Sequence, residues 1–147
     1  MVYDHLEKRH GPVLVEHALS YLYTSREGLV WQELYDLLSC DDDVLDDVYK
    51  PVVPKFRRIP SFKAKLLSND LDILVEPRFN NQVPTYKFRY HSFRVSVFQK
   101  YGLENTVRQC SFHKAMACYF SGEWVDGKEM LHLHTHQVRH CTCSSVA

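Results

Sequence analysis

The sequence lacks the features that announce an enzyme, a membrane protein or a secreted scaffold. It contains no G-x-x-x-x-G-K-[ST] phosphate loop, no G-x-G-x-x-G fingerprint and no H-E-x-x-H helix, so neither a self-contained nucleotide site nor a zinc-hydrolase site is written into it. No apolar run approaches the roughly eighteen residues of a membrane-spanning helix. The opening residues lack the basic, apolar and small-residue succession of a secretory signal, and a soluble cytoplasmic chain with no membrane partner is the expectation. Five cysteines, an odd number without framework spacing, fit reduced thiols rather than a disulfide scaffold. Cys110, Cys118 and His113 have reactive side chains, but no spacing fixes their geometry, and a thiol on an amphipathic helix reads as core. Net charge is also missing: 18 Lys and Arg balance 18 Asp and Glu, whereas nucleic-acid binders usually carry a basic excess.

What is present is a core. In 147 residues, 45% hydrophobic and 13% aromatic, there is material for one domain. Its charge is polarised. Residues 1–49 hold 3 Lys/Arg against 11 Asp/Glu, a balance of −8, and residues 50–114 hold 13 against 4, a balance of +9. Such halves attract each other or a neighbouring domain.

Pro12 opens a helix, since proline at the first position loses only an amide that has no helical partner. Val15, Ala18, Leu19 and Leu22 form its apolar stripe, and Gly28 is expected to end it. Trp31, Leu34, Tyr35 and Leu38 repeat the pattern in a second helix. Asp41, Asp42 and Asp43 then offer side-chain oxygens to the free amides of a third, acidic helix with Val44, Leu45 and Val48 inward. Pro51, Pro54 and Pro60 impose an extended basic connector. A fourth helix follows, with Phe62, Leu66 and Leu67 expected inward, then a strand near residues 73–75, a turn-rich tip at RFNNQVP, and a return strand alternating Tyr86, Phe88 and Tyr90 with Lys87, Arg89 and His91. Two more helices are expected, one through Phe93, Val97 and Tyr101 and one through Phe112, Ala115, Met116 and Tyr119, ending near Gly122. The fold class is mainly α with a small β-hairpin: a winged helix-turn-helix followed by one or two extra helices. Residues 1–101 are expected to form the winged-helix domain, 102–124 to begin a following helical region, and 125–147 to be a disordered His/Cys-rich tail.

Three groups of residues invite chemistry. The aspartate run departs from a calcium loop, which needs glycine where Asp46 stands and an oxygen ligand where Leu45 stands, so capping and solvation explain it better. His132, His134, His136, His140, Cys141 and Cys143 are ligand types at close spacing and could take up zinc, nickel or copper. They lack the apolar shell that orients a structural site, which favours adventitious chelation. Lys63, Lys65, Arg78, Lys87 and Arg89 are the cations a nucleic-acid-binding winged helix would use. Against that alternative stands the acidity of the third helix, whose aspartates would repel phosphate.

The blocks LEKRHGPVLVEHALSYL, SREGLVWQELYDLLSCDDDVL, FRRIPSF, LDILVE and MACYFSGEW resemble the segment that follows the nucleotide-binding domain in NACHT and WD-repeat proteins, a family of large signal-transduction ATPases. The resemblance covers about residues 5–125. It implies a non-catalytic winged helix that packs on a NACHT domain of the same polypeptide, with helical and WD-repeat regions beyond, and that meets ADP or ATP only through that domain. In related switch proteins a histidine just before the helix after the wing touches the β-phosphate of ADP. Two residues compete for that place: His91, in RYHSF, and Tyr90, which stands three before Phe93 where the family-like pattern H-x-x-F has its histidine. For docking, the resemblance and the charge pattern together single out Arg57, Arg58, Asp41, Asp42 and Asp43.

Overall fold

The computed structural model describes residues 1–50, 58–80 and 82–122. Among these, the order is α1 (Val2–His10), α2 (Pro12–Thr24), α3 (Trp31–Cys40), α4 (Asp42–Val48), α5 (Ser61–Leu71), β1 (Val75–Asn80), β2 (Val83–Phe88), α6 (His91–Lys100) and α7 (Thr106–Ser121). The architecture is mainly helical with one antiparallel hairpin, as the sequence leads one to expect. The helix α1 is an addition to that reading. It buries Tyr3, Leu6 and His10, spaced three and four apart on one face.

The apolar stripes of α2 and α3 meet at the centre of the domain, where Leu14, Leu19, Leu34, Leu38 and Leu45 are wholly removed from solvent. The short α4 closes against them through Val44 and Leu45. Asp41 caps it: its side chain accepts from the amide of Val44, which satisfies one of the free donors of the first turn. At the head of α3, Glu33 Oε2 accepts from the amide of Val30 at 2.8 Å. Beyond the wing, Val97 of α6 and Phe112 of α7 are buried in the same core.

The hairpin pairs Val75 with Phe88 and Asn80 with Val83 at its ends. Both strands therefore run further into RFNNQVP than expected, and the return strand stops at Phe88, before Tyr90. Leu29 adds a third, one-residue strand. Its amide donates to the carbonyl of Tyr86 at 3.2 Å and its carbonyl accepts from Tyr86 at 2.8 Å. Trp31 stacks on the Tyr86 ring with centroids 4.4 Å apart, which joins the start of α3 to the wing.

Two expectations need correction here. Gly28 does not end α2, which stops at Thr24 with Ser25 as its cap. Gly28 lies instead against the wing at φ +84°, a conformation that costs glycine nothing. On α5, Phe62 and Leu66 face outward, 63% and 40% exposed, while Ala64, Leu67, Ser68 and Leu71 are buried. Two helical stripes compete in that segment. The buried one wins because it runs on into Leu74 and Val75, both fully enclosed, and because Ala64 and Ser68 are small enough for close packing. Ile73 sits in the intervening turn, exposed, and the strand begins two residues later.

Candidate functional site

Asp36 is the residue around which the domain is tied. It is only 4% exposed and lies on the inner side of α3. Its Oδ1 accepts from the Arg58 guanidinium at 2.5 Å and from Gln32 Nε2 at 3.0 Å, and its Oδ2 accepts from the Tyr119 hydroxyl at 3.0 Å. One carboxylate thus joins the end of the connector, α3 and the far end of α7. The Tyr49 hydroxyl donates to the Arg58 carbonyl, and the Ile59 amide donates to Ser39 Oγ at 3.2 Å. The connector is anchored to the α3–α4 corner by its exit.

A second carboxylate does the same at that corner. Asp41 Oδ2 lies 2.6 Å from His17 Nδ1 and accepts from the Tyr21 hydroxyl at 3.0 Å. The Phe112 ring of α7 stands edge-on to both rings, with centroids 5.4 Å from His17 and 5.1 Å from Tyr21. His17, Asp41 and Asp43 bring ligand atoms within 4.8 Å of one another, which makes them the described residues best placed to hold a cation. The set is satisfied without one, since Asp41 already accepts from a ring nitrogen, a hydroxyl and a backbone amide.

These contacts have a signature in alkali. Burial, and then the neighbouring carboxylate, raise the hydroxyl of Tyr21 beside Asp41, of Tyr101 beside Glu7 and of Tyr119 beside Asp36 well above the ordinary tyrosine value. A raised acid means that the folded state holds its proton where the unfolded chain has lost it. The stabilisation is complete below about pH 10 and is lost as pH climbs beyond it. Tyrosinate absorbance from these phenols is expected to rise together with loss of helical circular dichroism. Full ionisation of all nine tyrosines with the helical signal intact would count against the burial described.

The opposed charges of the two halves are spent in part within the molecule. Arg58 pairs with Asp36, Lys87 with Glu27, Lys100 with Asp4 and Glu7, and Arg108 with Glu16. Each couples the basic segment to the acidic one. The exposed pairs among them contribute little individually, but they remove cations from the surface. Arg78 pairs with Glu76, Arg89 donates to the carbonyls of Asp72 and Val75, and Arg94 lies over the Tyr23 ring. Lys63 and Lys65 on α5 form no ion pair among the described residues. The helix that leads into the hairpin is also α5, not the acidic α4, and this is where a winged helix carries its recognition helix. The acidity of α4 therefore does not bear on what that helix can contact.

The structure separates the residues that the sequence grouped. Arg58 and Asp41 are both held by internal partners, Asp42 and Asp43 are exposed in the first turn of α4, and Arg57 lies outside the described residues. Tyr90 is the N-cap of α6, 58% exposed, and His91 is the first residue of that helix, also exposed. His132, His134, His136, His140, Cys141 and Cys143 lie outside the described residues. Sequence reasoning missed Asp36, His17, Tyr21 and Tyr119. The available signal was an aspartate placed one residue before the buried pair Leu37–Leu38, with Gln32 four residues back on the same face.

With the helices, the hairpin and the helix entering it in place, residues 3–101 match the family model described as "NWD1-like, winged helix-turn-helix domain". The chain belongs to this NWD1-like winged-helix family. The human protein named NACHT domain- and WD repeat-containing protein 1 is 34% identical over 131 residues, which are 86% of this chain and 8% of that protein. Its mouse counterpart has the same identity and coverage. Mouse NACHT and WD repeat domain-containing protein 2 is 29% identical over 125 residues, 84% of this chain and 7% of that protein. The NWD1-like chain thus spans less than a tenth of the length of these relatives. No solved structure matches it. No helix of the described residues is long and apolar enough to cross a membrane.

Proposed function

We propose that this NWD1-like winged helix is a cytoplasmic, non-catalytic docking module that packs on a NACHT nucleotide-binding domain and makes that contact depend on the bound nucleotide. The observation that carries the reading is the exposed pair Tyr90–His91 at the start of α6. An imidazole there projects from a helix N-terminus, where amides and dipole already favour an anion. In this reading the nucleotide, ADP or ATP, belongs to the NACHT domain, and helical and WD-repeat regions are the further partners. Arg58 and Asp41 act from inside by fixing the helices, Asp42 and Asp43 face the partner, and Arg57 belongs with them. No catalytic step is assigned to the module, and zinc at the His/Cys-rich segment is no part of its mechanism.

A nucleotide-dependent contact shifts a conformational equilibrium only by the difference in affinity between the two states. Calorimetry at physiological salt, with a separately expressed NACHT domain loaded with ADP or with an ATP analogue, measures that difference. Tighter binding to the ADP form is expected. His91→Ala should weaken it roughly tenfold, the scale of one charge-assisted hydrogen bond, while leaving the other form unchanged. Equal affinity for both forms would reduce the module to passive packing. Absence of binding, together with retention on heparin through Lys63, Lys65, Arg78, Lys87 and Arg89, would replace it with the nucleic-acid reading.

A further inference from the structure

The outward stripe of α5 has a pattern that none of the contacts above uses. Phe62, Lys65, Leu66, Asn69, Asp72 and Ile73 are all exposed, and they recur three and four apart, so they share one face of the helix and its first turn beyond. Phe62 and Ile73 are 63% and 60% exposed, more than burial bookkeeping favours for side chains of this size. The helix has an ordered inner face of its own, so this second apolar row is not required by the core.

The row is complementary to itself. When two such helices cross antiparallel about a two-fold axis between positions 67 and 68, residues whose numbers sum to 135 stand at the same height. Phe62 then faces the partner's Ile73, and Leu66 comes level with the partner's Asn69, while Lys65 and Asp72, seven residues apart, lie on the same edge of the helix. Lys65 comes level with the partner's Asp70 and within two residues of the partner's Asp72, about 3 Å along the axis at 1.5 Å per residue. Lys63 and Lys65 have no ion-pair partner among the described residues, whereas Asp70 is already held by Arg9 and His10. The Lys65–Asp72 pairs are therefore the ones an association would add. The antiparallel arrangement also sets each helix dipole against its opposite. A parallel arrangement would put lysine on lysine and Asp72 on Asp72.

We propose that α5 is a homodimerisation surface, in which a second copy of this chain packs its Phe62–Leu66–Ile73 row antiparallel against the first, with Lys65 paired to Asp72 across the two-fold axis. The contact is isologous, so it closes at two copies and does not propagate. One helix face is a small interface, below about 1,000 Å², which belongs to the transient class, and dissociation constants of roughly ten to a hundred micromolar are expected. This surface does not involve Tyr90 or His91 and stands whether or not the module senses nucleotide.

Sedimentation equilibrium of the purified chain under reducing conditions, across that concentration range and at physiological salt, tests it. A monomer–dimer equilibrium without larger species is expected. Phe62→Ser with Leu66→Ser should weaken dimerisation at least tenfold without lowering the melting temperature, because both side chains face solvent in the monomer. Lys65→Asp alone should weaken it, and Lys65→Asp combined with Asp72→Lys should restore it, since the swap regenerates each cross-axis pair with reversed sign. A chain that stays monomeric throughout, a dimer indifferent to the serine substitutions, or a charge swap no better than the single reversal would each overturn the proposal.

Discussion

Replacing Asp36 by alanine is expected to cost the domain about 3–5 kcal/mol, the usual consequence of removing one partner from a buried ion pair. The argument rests on what stays behind. Arg58 would lose its counter-charge where its side chain is 30% exposed, and the hydroxyl of Tyr119 would lose its acceptor in a site that burial already makes hostile to charge. Since a domain of this size is stable by only about 5–15 kcal/mol in all, such a loss is a large share of the whole. Asp36→Asn should be milder. An amide oxygen can still accept from Tyr119 or Gln32, but it offers the guanidinium no charge. Tyr119→Phe, which deletes one hydrogen bond and exposes the carboxylate on one side only, should cost about 1 kcal/mol. Urea titrations followed by circular dichroism measure all three. If Asp36→Ala unfolds within about 0.5 kcal/mol of the parent, a surface-like value, Asp36 is not the tie described.

Gly28→Ala is expected to cost roughly 2–4 kcal/mol, through backbone strain and overlap combined. A Cβ at position 28 would stand 2.8 Å from the carbonyl oxygen of Tyr86, 2.9 Å from Cγ of Lys87 and 3.2 Å from Cβ of Thr85, with φ held at +84°. Cγ of Lys87 lies next to its own backbone and can move aside only by a change of rotamer. The Tyr86 carbonyl cannot, because it accepts from the Leu29 amide in the bridge that completes the sheet. The damage should be local first, so Trp31, stacked on Tyr86, is the reporter. Its fluorescence should shift toward that of a solvated indole at denaturant concentrations where the helical signal is still native. Coincident transitions in the variant and the parent, with equal midpoints, would show that the wing does not depend on this close approach.

Much of the fold was legible because it is written locally. The stripes of α2 and α3, the aspartate cap of α4 and the return strand β2 each follow from a period or from a residue with one dominant backbone role, while Pro51 and Pro54 of the expected extended connector lie outside the described residues. The misjudged elements are those where two local readings were equally good. In α5 the row of Phe62 and Leu66 and the row of Ala64, Leu67 and Leu71 are both helical stripes. Residue spacing cannot say which faces the protein, because that depends on what stands opposite. Gly28 could as well end a helix as permit a close approach, since both uses draw on the same freedom from a side chain. The sequence makes the hairpin tip longer than it is, because asparagine and proline in RFNNQVP suit turns, while cross-strand pairing from Val75↔Phe88 to Asn80↔Val83 overrides that preference.

The candidate site divides in the same way. The opposed charges of the two halves were countable in the sequence, and so was the resemblance that set Tyr90 and His91 beside the wing. Which charges remain available was not countable, because pairing is a matter of distances between residues far apart in the chain. Arg58 and Asp41, chosen from sequence as docking groups, are occupied by Asp36 and by His17 with Tyr21, whereas Lys63 and Lys65 are not so occupied. By itself, then, the sequence determined every described helix but α1, the hairpin, the family and the overall balance of charge, since periodicity, turn chemistry and composition are properties of neighbouring residues. Only the tertiary structure decided which stripe of α5 faces the core, that Asp36 is the tie, and which cations and apolar side chains are left for a partner. Those outcomes depend on which surfaces desolvate each other, and no stretch of the chain contains that information alone.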